Sequence, residues 1–160
     1  MLRRGQTYLL LVLFIHLLTF CKAGAQVTAY TVQGFDFGSF YQGNTGGTIN
    51  VSTEGTRTTS GDIILIKNWL PALPAIFEIT APQGTSVSIL MGSDSNLSGS
   101  NGGTISLHLS GTDLQSPFLT SAVEPARTRI KVAGKLIIGN RMASPPGLYQ
   151  GTCSITFNQE

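Results

Sequence analysis

The sequence predicts an all-β fold, an antiparallel β-sandwich of about eight or nine strands, on three observations. From Gln26 onward, apolar and polar residues alternate with a period of two in many short runs, as they do in strands with one buried and one wet face. No stretch of useful length carries the 3.6-residue period of an amphipathic helix. Gly, Pro, Asn and Ser clusters separate the runs at short, regular intervals, the chemistry of turns between strands. Composition agrees with one globular domain. Of 160 residues 41% are hydrophobic and 11% charged, which excludes a solvated disordered chain.

The first segment stands apart from that fold. Arg3 and Arg4 precede the apolar run Tyr8 to Phe20, and Ala23-Gly24-Ala25 follows. A charged start, a short apolar stretch and an A-x-A site describe a secretory signal peptide. The run falls short of the roughly 20 apolar residues a spanning helix needs. Cleavage is expected between Ala25 and Gln26, so that residues 1–25 are the signal and 26–160 a single β-sandwich domain with no transmembrane segment. Bulky Phe20 argues against a lipid anchor on Cys21, and Gln6 with Thr7 argues against twin-arginine export. The expected destination lies across the inner membrane: periplasm, outer surface or medium.

Cleavage changes the charge. It removes Arg3, Arg4 and Lys22 from ten basic residues and none of the eight acids, leaving seven against eight and a net charge of −1. With no Lys/Arg run remaining, nucleic acid is not an expected partner. Cys21 and His16 also leave, so Cys153 and His108 are alone of their kinds and no intramolecular disulfide forms.

Along the mature chain, Val27 to Val32 is the first strand-like run. Ile49 and Val51 alternate with Thr48, Asn50 and Ser52. Val87 and Ile89 alternate with Ser86 and Ser88, and Ile105, Leu107 and Leu109 with Ser106, His108 and Ser110. Ile63 to Ile66, Ile76 to Ile79 and Ile130 to Ile138 are more continuously apolar and suit central strands. The last run is the clearest: Tyr149, Gly151, Cys153, Ile155 and Phe157 share one face, opposite Gln150, Thr152, Ser154, Thr156 and Asn158. Turns are expected at Asn44 to Gly47, Ser60 to Asp62, Pro82 to Gly84, Ser98 to Gly103 and Ser144 to Gly147. Asn68 to Ala75 and Leu114 to Pro125 read as longer connections.

Three stretches together resemble one bacterial family. They are Asp36-Phe37-Gly38-Ser39-Phe40 with Gly46 to Ser52 and Gly55; Pro74 to Thr80 with Gly84 and Val87 to Ile89; and Gly134 to Gly139 with Gly147 to Thr152. In order and in spacing they are similar to the secreted family filed as domain of unknown function 4402. Departures are Ala81 and Ala133 where that family tends to glycine, and Cys153 where an apolar or aromatic residue is usual. The resemblance implies an exported all-β module and no reaction.

A weaker similarity links the carboxy-terminal run, opened by Gly147, to the closing strand of chaperone–usher pilus subunits, so the sandwich is expected to be immunoglobulin-like or pilin-like. In those subunits a neighbour donates a missing strand to an exposed sheet edge. By that analogy Val27, Ala29, Tyr30 and Val32 form a possible donor, and Gly147, Tyr149, Gly151, Cys153, Ile155 and Phe157 a possible receiving edge. Against it, the pilin cysteine pair is missing, and Gln159 stands where pilins favour Tyr. Pairing of Val27 to Val32 within its own sheet is the favoured expectation.

No constellation points to catalysis. His108, the one mature histidine, lies on the polar side of its strand, while Cys153 alternates with Tyr149, Ile155 and Phe157 and should face inward as a small hydrophobe. Asp94 to Gly99 imitates half a calcium loop, but the twelfth position is Ile105, so a polar hairpin loop is expected there. No metal, cofactor or catalytic residue is expected. The expected function is a non-enzymatic envelope or surface protein, structural or adhesion-related, partnering itself or other envelope proteins by strand pairing. The alternative is a secreted or periplasmic binding module for carbohydrate or peptide, with Trp69 as the contact that stacks on a ligand.

Overall fold

The computed structural model describes residues 26–66, 71–123 and 125–160. The signal segment with Ala23 and Ala25 lies outside the described residues, as does Trp69. The described chain is an all-β, antiparallel sandwich-like fold of eleven strands in two sheets. Two strands more than the alternation suggests arise because two-residue pairings count as strands and because the last run is divided between sheets.

The larger sheet is organised on β9 (Thr128–Ile138). This strand alternates almost perfectly: Ile130, Val132, Gly134, Leu136 and Ile138 are buried, while Arg129, Lys131, Lys135 and Ile137 face outward. One edge of β9 pairs with β7 (Thr104–Thr112), which continues through β6 (Ser95–Gly99) to the short β10 (Tyr149–Gln150). Two strands share its other edge. β4 (Ala75–Thr80) takes the first half, with Ala75 opposite Val132, and β2 (Phe40–Val51) takes the second, with Val51 opposite Gly134. β1 (Thr28–Gln33) flanks β4, and β3 (Arg57–Leu65) flanks β2. The fork lies at Ala133, directly across from a bulge between Leu109 and Gly111 of β7. Bulges bend and twist a strand, which lets one β9 edge serve two diverging partners.

A three-stranded sheet, β11 (Ile155–Gln159), β5 (Ser86–Met91) and β8 (Phe118–Leu119), forms the second layer. It covers only part of the first. Under it, Ile79, Val87 and Ile130 meet Ile89, Phe118 and Phe157. The β2–β7–β9 half is instead covered by aromatic side chains, with Phe37 among the buried residues and Phe35, Phe40 and Tyr149 packed against them.

Several expectations change on this frame. Ile63 to Ile66 is not a central strand. Among the described residues β3 pairs only with β2, and its Ile64 is 68% exposed. Asn44 to Gly47 and Ser60 to Asp62 reverse no chain: they face each other across β2 and β3 as a bulged stretch with Gly47 opposite Gly61. The reversal falls at Ser52–Thr56, where Gly55 N–H donates to the Ser52 carbonyl. Asp94 to Gly99 is strand β6 from Ser95, not a hairpin loop. Long polar bulges carry the same residue types as turns, so composition alone cannot separate them.

Gly46 makes the bulge possible. Its φ is +79°, and a Cβ there would fall 2.2 Å from the Gly139 carbonyl oxygen. Gly46→Ala is therefore expected to destabilise the protein by more than about 1 kcal/mol, read as a lowered urea midpoint with unchanged slope.

Candidate functional site

The incomplete second layer leaves an open groove of about 1140 Å³. One wall is the irregular segment Gly34–Ser39 continuing into Phe40–Gln42 of β2, and the other is Pro145–Cys153. Leu97, Ile105, Leu107 and Leu136 form the floor, and all four are buried. Its rim is apolar, with Tyr41 66% and Leu148 65% exposed. Among the described residues, Asp36 and Arg141 are the only charged side chains along it.

The first wall is held from behind. Asp36 and Leu73 exchange backbone hydrogen bonds of 3.0 and 2.8 Å. The Arg57 guanidinium reaches across from β3 and donates to the Phe37 carbonyl at 3.1 Å and the Ile66 carbonyl at 3.2 Å, tying the wall to the end of β3. Phe35 and Phe37 stack at 5.4 Å between centroids and lie over Gly134, where a Cβ would come within 2.8 Å of the Phe35 ring. The glycine admits the two rings onto β9. Arg57→Ala would leave two carbonyls without a donor and is expected to cost about 1.5–3 kcal/mol. The amides of Phe37–Phe40 should then exchange faster with solvent, and Arg57→Lys should restore little, because an ammonium cannot span both acceptors in one fork.

The second wall is the carboxy-terminal run, and its path differs from the single strand that alternation implies. Tyr149 and Gln150 pair with Gly99 and Ser98 of β6; the chain then leaves that sheet, Ser154 accepts from Gly92 N–H, and Ile155 to Gln159 pair with Met91 to Val87 of β5. Alternation survives the crossing. Tyr149, Cys153, Ile155 and Phe157 are part-buried, whereas Gln150, Thr152, Ser154 and Thr156 are exposed. Sandwich corners are made by strands that switch sheets in this way. β10 and β11 each end their sheet, so among the described residues the run has a paired edge and an unpaired one. The Phe40–Gln42 end of β2 likewise pairs with β3 alone, while its Gln42 carbonyl accepts from Arg141 at 3.1 Å.

The groove gathers some of the expected residues and not others. Gly147, Tyr149, Gly151 and Cys153 line it; Ile155 and Phe157 have passed into β11 and pack under the second sheet. Val27 packs against the core at the far end, and Ala29, Tyr30 and Val32 are exposed on β1, which pairs with β4 of its own sheet as favoured from sequence. Gln26 is exposed. His108 sits on the outer face of β7, with Nδ1 2.7 Å from Asp94 Oδ1, away from the groove. Sequence reasoning missed Arg57, Arg141 and the wall role of Phe35 to Phe37. Asp36 to Phe40 did stand out, as a family motif rather than as a surface.

Burial pushes the Cys153 thiol above its ordinary value, opposed in part by a backbone hydrogen bond, and burial likewise raises the Tyr149 phenol, whose hydroxyl donates to the Pro145 carbonyl. A raised thiol means that above the ordinary cysteine range the unfolded chain binds fewer protons than the folded one. The thiol's contribution is therefore fully present below that range and is lost as pH rises through the folded value. The arrangement keeps Cys153 protonated to a higher pH than an exposed cysteine, so it reacts more slowly.

No helix among the described residues is long and apolar enough to cross a membrane. No curated protein and no solved structure matches the chain. The family model described as "Domain of unknown function (DUF4402)" matches residues 27–158, which takes in both groove walls, the β9 spine and the closing strand, and the chain belongs to that family.

Proposed function

We propose that this protein is an exported, non-enzymatic module of the cell envelope or cell surface, structural or adhesion-related, that works in a pilin-like way by accepting an extended strand of a protein partner. The groove beside the unpaired edge of Tyr149–Gln150 carries the reading. An apolar channel bordered by the unpaired edge of Tyr149–Gln150 and by Phe40–Gln42, where Arg141 already holds the Gln42 carbonyl, offers main-chain hydrogen bonds for affinity and a floor for alternate side chains, the two components of β-augmentation. At about 1140 Å³ it exceeds the roughly 300–1,000 Å³ of ordinary small-molecule pockets. Its near absence of charge among the described residues favours an uncharged segment, and among those residues its one carboxylate, Asp36, has no acid or histidine partner in the groove with which to perform acid–base chemistry.

Export rests on the Arg3-Arg4, Tyr8–Phe20 and Ala23–Ala25 pattern, and residues 26–160 are the working domain. Amino-terminal sequencing of the protein recovered outside the cytoplasm should begin at Gln26. For strand acceptance, the test is calorimetric titration with uncharged octapeptides of alternating Val and Thr. Binding with a negative heat-capacity change is expected, since apolar surface leaves water. Equal binding by octapeptides carrying Pro at alternate positions, which cannot donate to a ladder, would overturn the reading.

A further inference from the structure

Resting on the reading of the groove as a strand acceptor, we infer that the segment it takes is polarised: an uncharged stretch with a cation at its amino end, seated at Asp36, and a carboxylate at its carboxy end, seated at Arg141. Among the described residues these are the two charges that border the groove. They are opposite in sign, and neither takes part in an ion pair there. Each is anchored and keeps further bonding capacity. Asp36 Oδ1 accepts from the Gly38 amide at 2.7 Å, and Oδ2 takes no bond among the described residues. Arg141 donates from Nε and Nη2 to the Gln42 carbonyl at 3.3 and 3.1 Å, which leaves its other N–H groups for a carboxylate. Arg57 stands behind the same wall with its guanidinium on the Phe37 and Ile66 carbonyls, outside the groove lining.

The two charges stand at opposite ends. The first wall enters at Phe35, which packs on Ala75, Leu109 and Val132, and reaches Gln42, where Arg141 holds it. The second wall begins on the Arg141 side. Ala143 and Ser144 are tied to Thr104 at the start of β7, and Leu148 exchanges bonds with Ser100 just before that strand. It ends at Cys153, which packs on the same three residues as Phe35. The walls therefore run in opposite directions, with Asp36 at the Cys153 end and Arg141 at the Pro145 end. An occupant whose amino end lies at Asp36 runs antiparallel to Tyr149–Gln150, the pairing whose hydrogen bonds lie straight across. Asp36 and Gln42 are six positions apart, at most about 20 Å at roughly 3.3 Å per residue, so a segment of about seven or eight residues brings both of its charges into place. Both Asp36 and Arg141 are exposed, which suits charges on a partner chain that continues past the groove rather than chain ends held inside it.

The test is calorimetric titration of the purified protein with two octapeptides, capped at both ends and identical in composition. One reads lysine, three Val-Thr pairs, glutamate; the other has lysine and glutamate exchanged. The first is expected to bind at least about fivefold tighter at low salt, with the margin shrinking as salt screens both contacts. Asp36→Asn with Arg141→Gln retains an acceptor for the Gly38 amide and should abolish the preference. Asp36→Lys with Arg141→Glu should invert it, in protein whose unfolding midpoint shows the fold to be kept. Direction is read separately. A chloroacetyl cap on the amino end of the first peptide should alkylate Cys153, which lies at the Asp36 end, and the same group on the carboxy end should not. Equal affinity of the two peptides, a preference that survives neutralisation, or alkylation from the carboxy end would overturn the inference, and strand acceptance stands in each case if the uncharged Val/Thr octapeptide binds. Failure of every peptide to bind refutes strand acceptance and the inference together.

Discussion

Ile130→Ala is expected to lower the unfolding free energy by about 2–5 kcal/mol, a large share of the roughly 5–15 kcal/mol that holds a domain together. Ile130 is 0% exposed, lies opposite Phe77 of β4, and packs with Ile79 and Val87 beneath the second sheet. Its neighbours sit on β9, β4 and β5, each pinned by its own ladder, so the cavity left by three lost carbons cannot close cheaply. Ile64→Ala is the matched control. The same deletion on edge strand β3, at a residue 68% exposed, should change stability by no more than about 0.5 kcal/mol. Similar losses at the two positions would contradict the placing of the core along β9 rather than evenly through the apolar runs.

The second large effect is on binding. Attaching a bulky maleimide to Cys153 is expected to reduce octapeptide affinity by more than about a hundredfold, since the adduct occupies the channel the strand would fill. A methylthio adduct at the same sulfur should have little effect. Thr156 provides the outward control: it is exposed and lies outside the groove, so Thr156→Cys in a Cys153→Ser background should bind peptide normally with the same maleimide attached. The labelling rate carries its own information. With the thiol pushed up by burial, alkylation should be slow at pH 8 and accelerate at higher pH than for an exposed cysteine, and bound peptide should slow it further. Unimpaired binding by the bulky Cys153 adduct would remove the groove from the account.

Much of the fold was legible in the sequence. Period-two alternation located β5 and β7 and assigned their buried faces, because burial of one sheet face acts on every second residue regardless of what lies above it, while the more continuously apolar Ile130 to Ile138 marked β9 as a central strand. It also assigned the faces of Tyr149 to Phe157 correctly. What it could not convey is that the run changes sheets near Ser154, since a crossing strand keeps its alternation while changing partners. The polar bulge of β2 and β3 was misread for a related reason: Gly46, Gly47 and Gly61 are glycine because two backbones meet there, not because the chain turns.

The candidate site was half legible. Tyr149 and Cys153 were picked out by pattern, and Asp36 to Phe40 by family resemblance, but neither signal reveals that the two segments face each other across a gap. That relation depends on how far β5, β8 and β11 extend over the first sheet, a tertiary quantity. Arg57 gave no sign, being one cation in a Thr-rich strand, and its role emerged only from the carbonyls of Phe37 and Ile66 that it reaches.

Hydrogen exchange at individual amides, with and without a saturating uncharged Val/Thr octapeptide, tests strand acceptance most directly. Protection is expected to rise at alternate amides of Gly147–Cys153 and at the Phe40–Gln42 end of β2, the two segments that border the groove, with β3 and the outer face of β7 unchanged. Bound peptide that leaves both edges exchanging as before, or that protects the outer face of the large sheet instead, would contradict it.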